Sequence, residues 1–340
     1  MKEVTIYDIA REIGVSPATV SRALKNNPAI SDQVKKKIKE KAEAMGYRSN
    51  TFASNLRTKR TYTLGVIIPR LDSNFMSSTI AGIEKIANES GYNLIISQSF
   101  ETQKKEVANS ITMYNSRVDG LIVSLASDTN DLNHFARFLS KKIPLLFFDR
   151  VPDNPDYISV VIDNFKMGYE VTKHLIEQGC RSIMHISGNR NRNVYSDRFK
   201  GYQAAIEEVG LPYQPELVIE SGLGIDDGIK LAHTILELKN LPDGIFIAND
   251  ACASGCLTTL KANGIRIPEQ IAIAGFNNDP IAQLVEPKLT TVNYSGKEMG
   301  ETVSRFMVDL LNGNTQMPST NQLTLPSQLI VRGSTLKKGK

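Results

Sequence analysis

The chain contains no tryptophan, and among its 340 residues only three are cysteine and four histidine. Cys180, Cys252 and Cys256 form an odd set with no CxxC spacing. Cys252 and Cys256 stand four apart on an expected helix, but with histidine so scarce they read as buried free thiols and not as a metal site. No apolar run approaches the ~20 residues of a membrane-crossing helix. The amino terminus opens with MKEVTIYD and not with the apolar region of an export signal, so a cytoplasmic protein without membrane attachment is expected. Catalytic signatures are missing too. Neither G-x-G-x-x-G nor a phosphate-binding G-x-x-x-x-G-K-[ST] loop follows the first strand-like run, TLGVIIP, and the cluster GLGIDDG at 222–228 has the wrong spacing. G-x-S-x-G and H-E-x-x-H are absent. No enzyme and no cofactor are expected.

Charge is unevenly spread. Residues 1–60 carry thirteen Lys/Arg against six Asp/Glu, a net +7, and the remaining 280 carry 27 against 30, a net −3. A basic end joined to a mildly acidic body suggests a nucleic-acid-binding head on a body with another task, although a charged face alone is often only solvated surface.

The basic end has helical punctuation. Thr5 with Asp8 makes a capping box before a helix from Ile6 to Glu12, with Ile6, Ile9, Ala10 and Ile13 on one face. Gly14 and Val15 make a turn. Ser16 at an N-cap and Pro17 at the first helical position then open a second helix reaching about Leu24, with Val20, Ala23 and Leu24 inward. A third runs from Ser31 through Val34, Ile38, Ala42 and Met45 to Gly46, a natural C′ residue. Helix, glycine turn and helix make a helix-turn-helix, whose second helix enters the major groove. Its leading residues are Ser16, Pro17, Ala18 and Thr19, followed by Ser21 and Arg22. Arg22 suits a bidentate contact with guanine, Pro17 and Ala18 suit a thymine methyl, and Thr5, Ser16, Thr19 and Ser21 suit phosphate oxygens.

Residues 47–61, YRSNTFASNLRTKRT, could form about two helical turns, too few to be stable unaided. From Tyr62 the pattern changes to strand-length apolar runs alternating with amphipathic stretches. TLGVIIP, YNLIISQS, DGLIVSL, PLLFFD and ISVVID come first, then SIMHISG, ELVIESG, DGIFIAND and IAIAGF. Helices are expected at about 75–90, 103–116, 131–141, 165–179, 197–210, 226–239, 251–263 and 297–312, with a strand TTVNY and two short terminal strands. The pattern predicts an α/β chain. An all-α helix-turn-helix domain precedes a body of two doubly wound α/β subdomains facing across a cleft.

The segment TIYDIAREIGVSPATVSRALKNNPAISDQVKKKIKEKAEAMGYRSNTFASNLR resembles the lac repressor (LacI/GalR) family almost without gaps. The resemblance rests on VSxxTVSRxL, the MGYxxN turn and an A-x-x-L hinge, and the alternating body extends it over essentially the whole chain. It implies a DNA-binding domain over 1–46, a hinge over 47–61 and a periplasmic-binding-protein-like body. In that body 62–162 with 293–322 would form one subdomain, 163–292 with 323–335 the other, and 336–340 a tail. The hinge would become helical on operator DNA, with Asn50 opening it, Ala53 and Leu56 on one face and Arg57 against phosphate. Leu56 would wedge into the minor groove, kinking the duplex at a cost of a few kcal/mol offset by wrapped contacts. A loop leucine covering the core is the alternative.

In the body, the residues expected to bind a small effector are Phe75 after the first strand's loop, Asp149, Arg150, Asn249, Asn277 and Tyr294 at strand ends, and Arg198 at the start of a helix of the second lobe. The arginines and asparagines suit paired hydroxyls. Phe75 either stacks on a ring or caps the core, and Asp250 either binds ligand or caps a helix. Asn277 departs from the acidic residue of many relatives and Tyr294 from a common glutamine, which gives ground to a phosphorylated or acidic effector. The resemblance thus implies a transcription regulator, a repressor of carbohydrate-related genes. Its partners would be double-stranded operator DNA, a sugar or sugar phosphate, and a second copy of itself. The tail STLKKGK lacks the leucine heptads of a tetramer. A periplasmic-type sugar-binding protein, the rival, would share the body but not the basic head.

Leu56→Ala should lower operator affinity of the full chain by roughly tenfold or more while effector affinity, measured by calorimetry, stays unchanged. Equal operator binding would rule out the wedge.

Overall fold

The computed structural model describes residues 4–47, 60–154, 156–314 and 321–336. It divides into two compact units, 1–61 and 62–340.

The first unit holds three helices, α1 (Ile6–Ile13), α2 (Pro17–Leu24) and α3 (Asp32–Ala44). The capping box at Thr5 and Asp8 is present, Gly14 ends α1 at φ 74°, and Pro17 sits in the first turn of α2. Ile9, Ala10, Val20, Ala23, Ile38 and Ala42 are buried together. Ile6, Ile13, Leu24, Val34 and Met45 pack around them, which is the small shared core that the apolar spacing requires.

In the second unit the unbroken apolar runs are parallel strands, and the central ones of each sheet are buried on both faces. The first lobe has a six-stranded sheet in the order β11-β5-β4-β3-β1-β2. Its strands are β1 (Thr63–Ile68), β2 (Asn93–Gln98), β3 (Gly120–Val123), β4 (Leu145–Phe148), β5 (Ile158–Ile162) and β11 (Gln322–Leu325), all parallel. Alternate side chains feed different cores, as the two-residue period of a strand dictates. Leu64, Val66, Ile68, Ile122, Leu146, Phe148 and Val160 join one cluster, whereas Ile67, Leu121, Val123, Leu145, Phe147 and Val161 join another. The second lobe repeats the device in a four-stranded parallel sheet, β7-β6-β8-β9. Its strands are β6 (Ile183–Ser187), β7 (Val218–Glu220), β8 (Gly244–Ile247) and β9 (Ala272–Ala274). A short antiparallel ribbon, β10 (Thr291–Asn293) with β12 (Gln328–Ile330), lies outside both sheets.

Three expectations are corrected. The subdomain boundary drawn between 322 and 323 moves to after Leu325, because Leu323–Leu325 pair with Val160–Ile162 and complete the edge of the first sheet. The helix expected from 197 begins at Asn193, so its first turn carries Asn193 and Tyr195 to the cleft. The segment expected as a helix over 131–141 is a 3-10 turn, Asn133–Phe135, followed by a short helix, Ala136–Ser140.

Three neighbouring helix pairs cross almost backbone to backbone, each through glycines from both partners. In the first lobe, a Cβ added at Gly82 of helix Asn74–Glu89 would lie 2.2 Å from the Lys297 carbonyl oxygen, and one at Gly300 of helix Gly296–Leu311 would lie 2.0 Å from that of Thr79. Gly168 and Gly201 do the same between helices Asn164–Glu177 and Asn193–Glu208, and Gly228 and Gly255 between Ile225–Leu236 and Asp250–Ala262. Gly300→Ala should therefore destabilise the body by about 1–3 kcal/mol, the cost of overpacking a tight contact. Urea unfolding checks it, and an unchanged midpoint and slope would contradict the crossing.

Candidate effector cleft and DNA-reading helix

In the head, α2 turns Ala18 and Arg22 to solvent, with Pro17, Thr19 and Ser21 half-buried. Ser16 and Thr19 share a hydroxyl–hydroxyl bond of 2.9 Å, and the Ser16 oxygen accepts the Thr19 amide at 3.1 Å. The Thr5 hydroxyl donates to Asp8 at 2.7 Å. The cap hydroxyls are thus partly committed to their own helices, and Arg22 is the long donor left on the exposed face. Tyr7, which the sequence reading passed over, is 65% exposed on α1. Its signal was available: it lies off the Ile6, Ile9 and Ile13 face. Asn50, Ala53, Leu56 and Arg57 lie outside the described residues.

Open parallel sheets bind ligands beyond the carboxyl ends of their strands. All seven residues expected in the cleft line one cavity of about 770 Å³ between the lobes: Phe75, Asp149, Arg150, Arg198, Asn249, Asn277 and Tyr294. Phe75 begins the helix after β1, Asp149 and Arg150 follow β4, Arg198 lies in the helix after β6, and Asn249 and Asn277 follow β8 and β9.

Two arginines are fixed before any ligand arrives. Arg198 is buried, donating from Nε to Asn164 Oδ1 at 2.9 Å and from Nη1 to the Ala248 carbonyl at 3.1 Å, with its guanidinium 3.5 Å from the centre of the Phe276 ring. Arg150 donates to Glu101 at 2.5 Å and to the Tyr195 hydroxyl at 3.2 Å. Burial works against the Arg150 charge, but Tyr195 and the Glu101 and Asp149 carboxylates outweigh it and hold the group protonated. Asp149 sits at φ 55° and is buried; burial pushes its carboxyl up, while Arg150 and Arg198 pull it down.

The two departures from the family pattern meet. Tyr294 donates its hydroxyl to Asn277 Oδ1 at 3.1 Å, and its ring lies 4.8 Å from that of Phe75. Phe75 is thus part of the first lobe's core while also lining the cavity. Asn249 spends its Oδ1 capping the helix Asp250–Ala262 through the Ala251 amide, at 2.7 Å, leaving its amide group for other contacts. Asp250 is neither cap nor cavity wall. It is fully buried, accepts from the Thr291 hydroxyl at 2.7 Å and from the Asp279 amide at 2.8 Å, and ties the start of its helix to β10 and to the loop after β9.

Glu101, Arg70, Asp72, Tyr195, Asp226, Lys230 and Asp279 also line the cavity and were missed from sequence. Arg70 and Asp72 form a bidentate pair at 2.8 and 2.6 Å. The lobes are joined by the segment 189–195. Asn189 donates to the Ser127 carbonyl at 3.2 Å, Arg192 to that of Thr129 at 2.6 Å and Asn193 to that of Asp149 at 2.9 Å, while Asn193 Oδ1 accepts the Val151 amide at 3.0 Å.

With that geometry in place, comparisons with known proteins agree at both ends of the chain. The model for bacterial regulatory proteins of the lacI family matches residues 5–50, and that for the periplasmic binding protein-like domain matches 172–335. The chain is 33% identical over 333 residues to catabolite control protein A of Priestia megaterium, covering 98% of this chain and 99% of that protein. The chain belongs to the LacI family. The fold of this LacI-family member matches the lac repressor dimer bound to operator and the anti-inducer ONPF, with a TM-score of 0.87 at 23% identity, over 99% of this chain and 100% of that one. The transcriptional regulator CelR in complex with cellobiose matches with a TM-score of 0.72 at 25% identity, over 98% and 100% of the two chains. The protein is a DNA-binding transcriptional regulator with an effector-binding body, and its α/β architecture is that of the family.

Burial raises Asp250 to about 7, with Thr291 opposing and Asp279 adding to the shift. A carboxyl raised in the folded state stabilises fully below its unfolded value, near 4, and that contribution is lost as pH rises toward 7. Asp250→Asn removes the titration. The melting temperature of the variant relative to the parent should therefore climb between about pH 4 and pH 7. A difference that stays flat would overturn this assignment.

Proposed function

We propose that this LacI-family regulator is a cytoplasmic repressor of a carbohydrate-related operon, released from or fixed on its operator by a polyhydroxylated effector held in the 770 Å³ cavity. The observation that carries the reading is the convergence of all seven expected residues on that single cavity. Prebuilt donors and an aromatic wall suit a sugar, in which paired hydroxyls meet fixed polar groups and a ring face meets Phe75. The cellobiose complex of the relative CelR supports the same class.

Charge favours a neutral sugar over a phosphorylated one. Six carboxylates line the cavity, from Asp72, Glu101, Asp149, Asp226, Asp227 and Asp279, against four cations, Arg70, Arg150, Arg198 and Lys230. Two of the cations are already paired, Arg70 with Asp72 and Arg150 with Glu101. The gain for an acidic effector that Asn277 suggested is outweighed by these neighbours.

A homodimer is part of the proposal, since paired recognition helices read a pseudo-palindromic site. Leu71, Ile96, Phe100 and Ile111 of the first lobe and Ile225, Ile229 and Leu284 of the second are exposed, Leu284 at 81%. Strand β2, which carries Ile96, is a sheet edge. A lobe rotation that breaks the 189–195 bridges would move both hinges, coupling the cleft to the DNA. In this scheme Thr5, Ser16, Pro17, Ala18, Thr19, Ser21 and Arg22 contact the operator, and Asn50, Ala53, Leu56 and Arg57 supply the hinge.

Calorimetry of neutral sugars and their phosphates against the parent and Arg198→Lys tests the pocket. The sugar that binds the parent should bind the variant at least about tenfold more weakly, the cost of roughly one charge-assisted contact. Unchanged affinity, with the variant folded by circular dichroism, would place the effector elsewhere.

A further inference from the structure

A second cavity, of about 590 Å³, lies between the lobes and shares no lining residue with the first. The first lobe contributes residues 129–132 and 151–154 and the second contributes residues of 190–200. Its cations are unequal. Arg190 is paired with Glu220 at 2.7 Å and Lys200 with Asp197 at 3.0 Å. Arg192, only 8% exposed, is in no ion pair among the described residues. Its Nη2 donates to the Thr129 carbonyl, whereas its enclosed Nε has no hydrogen-bond partner. A buried guanidinium without an ion-pair partner is costly to maintain. Burial, and then repulsion from Arg150, oppose its charge more than Glu106 and Asp128 favour it, and those two carboxylates are committed to the Ala126 amide, Thr129 and His134 and to the Gln103 amide.

The helix Asn193–Glu208 starts at the same place. Its N-cap is Arg192 itself, which supplies no side-chain bond to the first turn. The N-terminus of this 16-residue helix thus has no side-chain cap and presents the positive end of its dipole, with the Tyr195 and Ser196 amides bonded to the Arg192 carbonyl. Asn193 and Ser196, both in the first turn, line the cavity. The carboxylates nearby are already occupied or solvated: Asp131 accepts from Gln103 and Asn133, Asp197 holds Lys200, and Asp153 is exposed.

We propose that this cavity is an anion site in which Arg192, the amide of Asn193 and the hydroxyl of Ser196 hold the phosphate group of a small metabolite, separately from the sugar cavity. An anion there supplies Arg192 with an ion-pair partner and fills the uncapped helix end. Because both lobes line the site, its occupancy reinforces the Arg192–Thr129 contact and holds the lobes in this arrangement. The regulator would then read two metabolites, an uncharged one and a phosphorylated one.

The test is a titration of the isotope-labelled full chain with inorganic phosphate against chloride at constant ionic strength, followed through the amide resonances of Asn193 and Ser196. Saturable shifts are expected with a Kd of about 1–10 mM for so small a ligand. Arg192→Gln should weaken binding by about tenfold or more, Arg192→Lys should recover part of it, and Lys230→Ala, in the other cavity, should leave it unchanged. Absence of a saturable shift, equal binding by Arg192→Gln, or loss on Lys230→Ala would each overturn the proposal. An Arg192→Gln chain that fails to fold leaves the decision to the parent titration and to Arg192→Lys.

Discussion

The close crossing of paired helices is the constraint from which the cleft follows. Where glycines Gly82 and Gly300 let two helices of the first lobe touch, Phe75 and Tyr294, at the starts of those helices, are brought ring to ring. Where Gly168 meets the Arg198 backbone, the guanidinium of Arg198 is delivered to Asn164. The Gly228–Gly255 crossing fixes the helix that Asn249 caps. A side chain at any of these positions would part the backbones by an ångström or more, and the strand-end loops would no longer face one another.

Within the cleft, rigidity is obtained by spending polar groups on one another. Arg150 is held by Glu101 and Tyr195, Arg198 by Asn164 and Ala248, and Asn277 by Tyr294. A donor already fixed loses little freedom when a ligand hydroxyl replaces water, so binding is not taxed by ordering long side chains. The buried Asp250 acts one layer behind, joining the start of its helix after β8 to the loop after β9 and to β10 through two short bonds. His185 shows the opposite strategy. Burial among aromatic rings lowers it to about 3, so it serves as a flat neutral wedge against Phe246.

Much of this was legible along the chain. Capping residues at Thr5 and Ser16 and the proline at Pro17 marked the head's helices, because local hydrogen bonding acts within four residues. The unbroken apolar runs marked the parallel strands, because both faces of such a strand are buried. The cleft residues were readable because strand ends in doubly wound sheets are where ligands sit. Glu101, Tyr195 and Arg192 were not readable. Their importance comes from partners 49, 45 and 63 positions away in sequence, and no local pattern encodes those meetings.

By itself the sequence determined the helix-turn-helix, the alternation of strands and helices and the family, since each depends on short-range periodicity or on motif spacing. Only the tertiary structure decided that Leu323–Leu325 belong to the first sheet, that Tyr294 and Asn277 act as a bonded pair, and that Arg192 is buried without an ion pair among the described residues. Those outcomes rest on desolvation and on pairings between distant segments, which exist only once the chain has closed on itself.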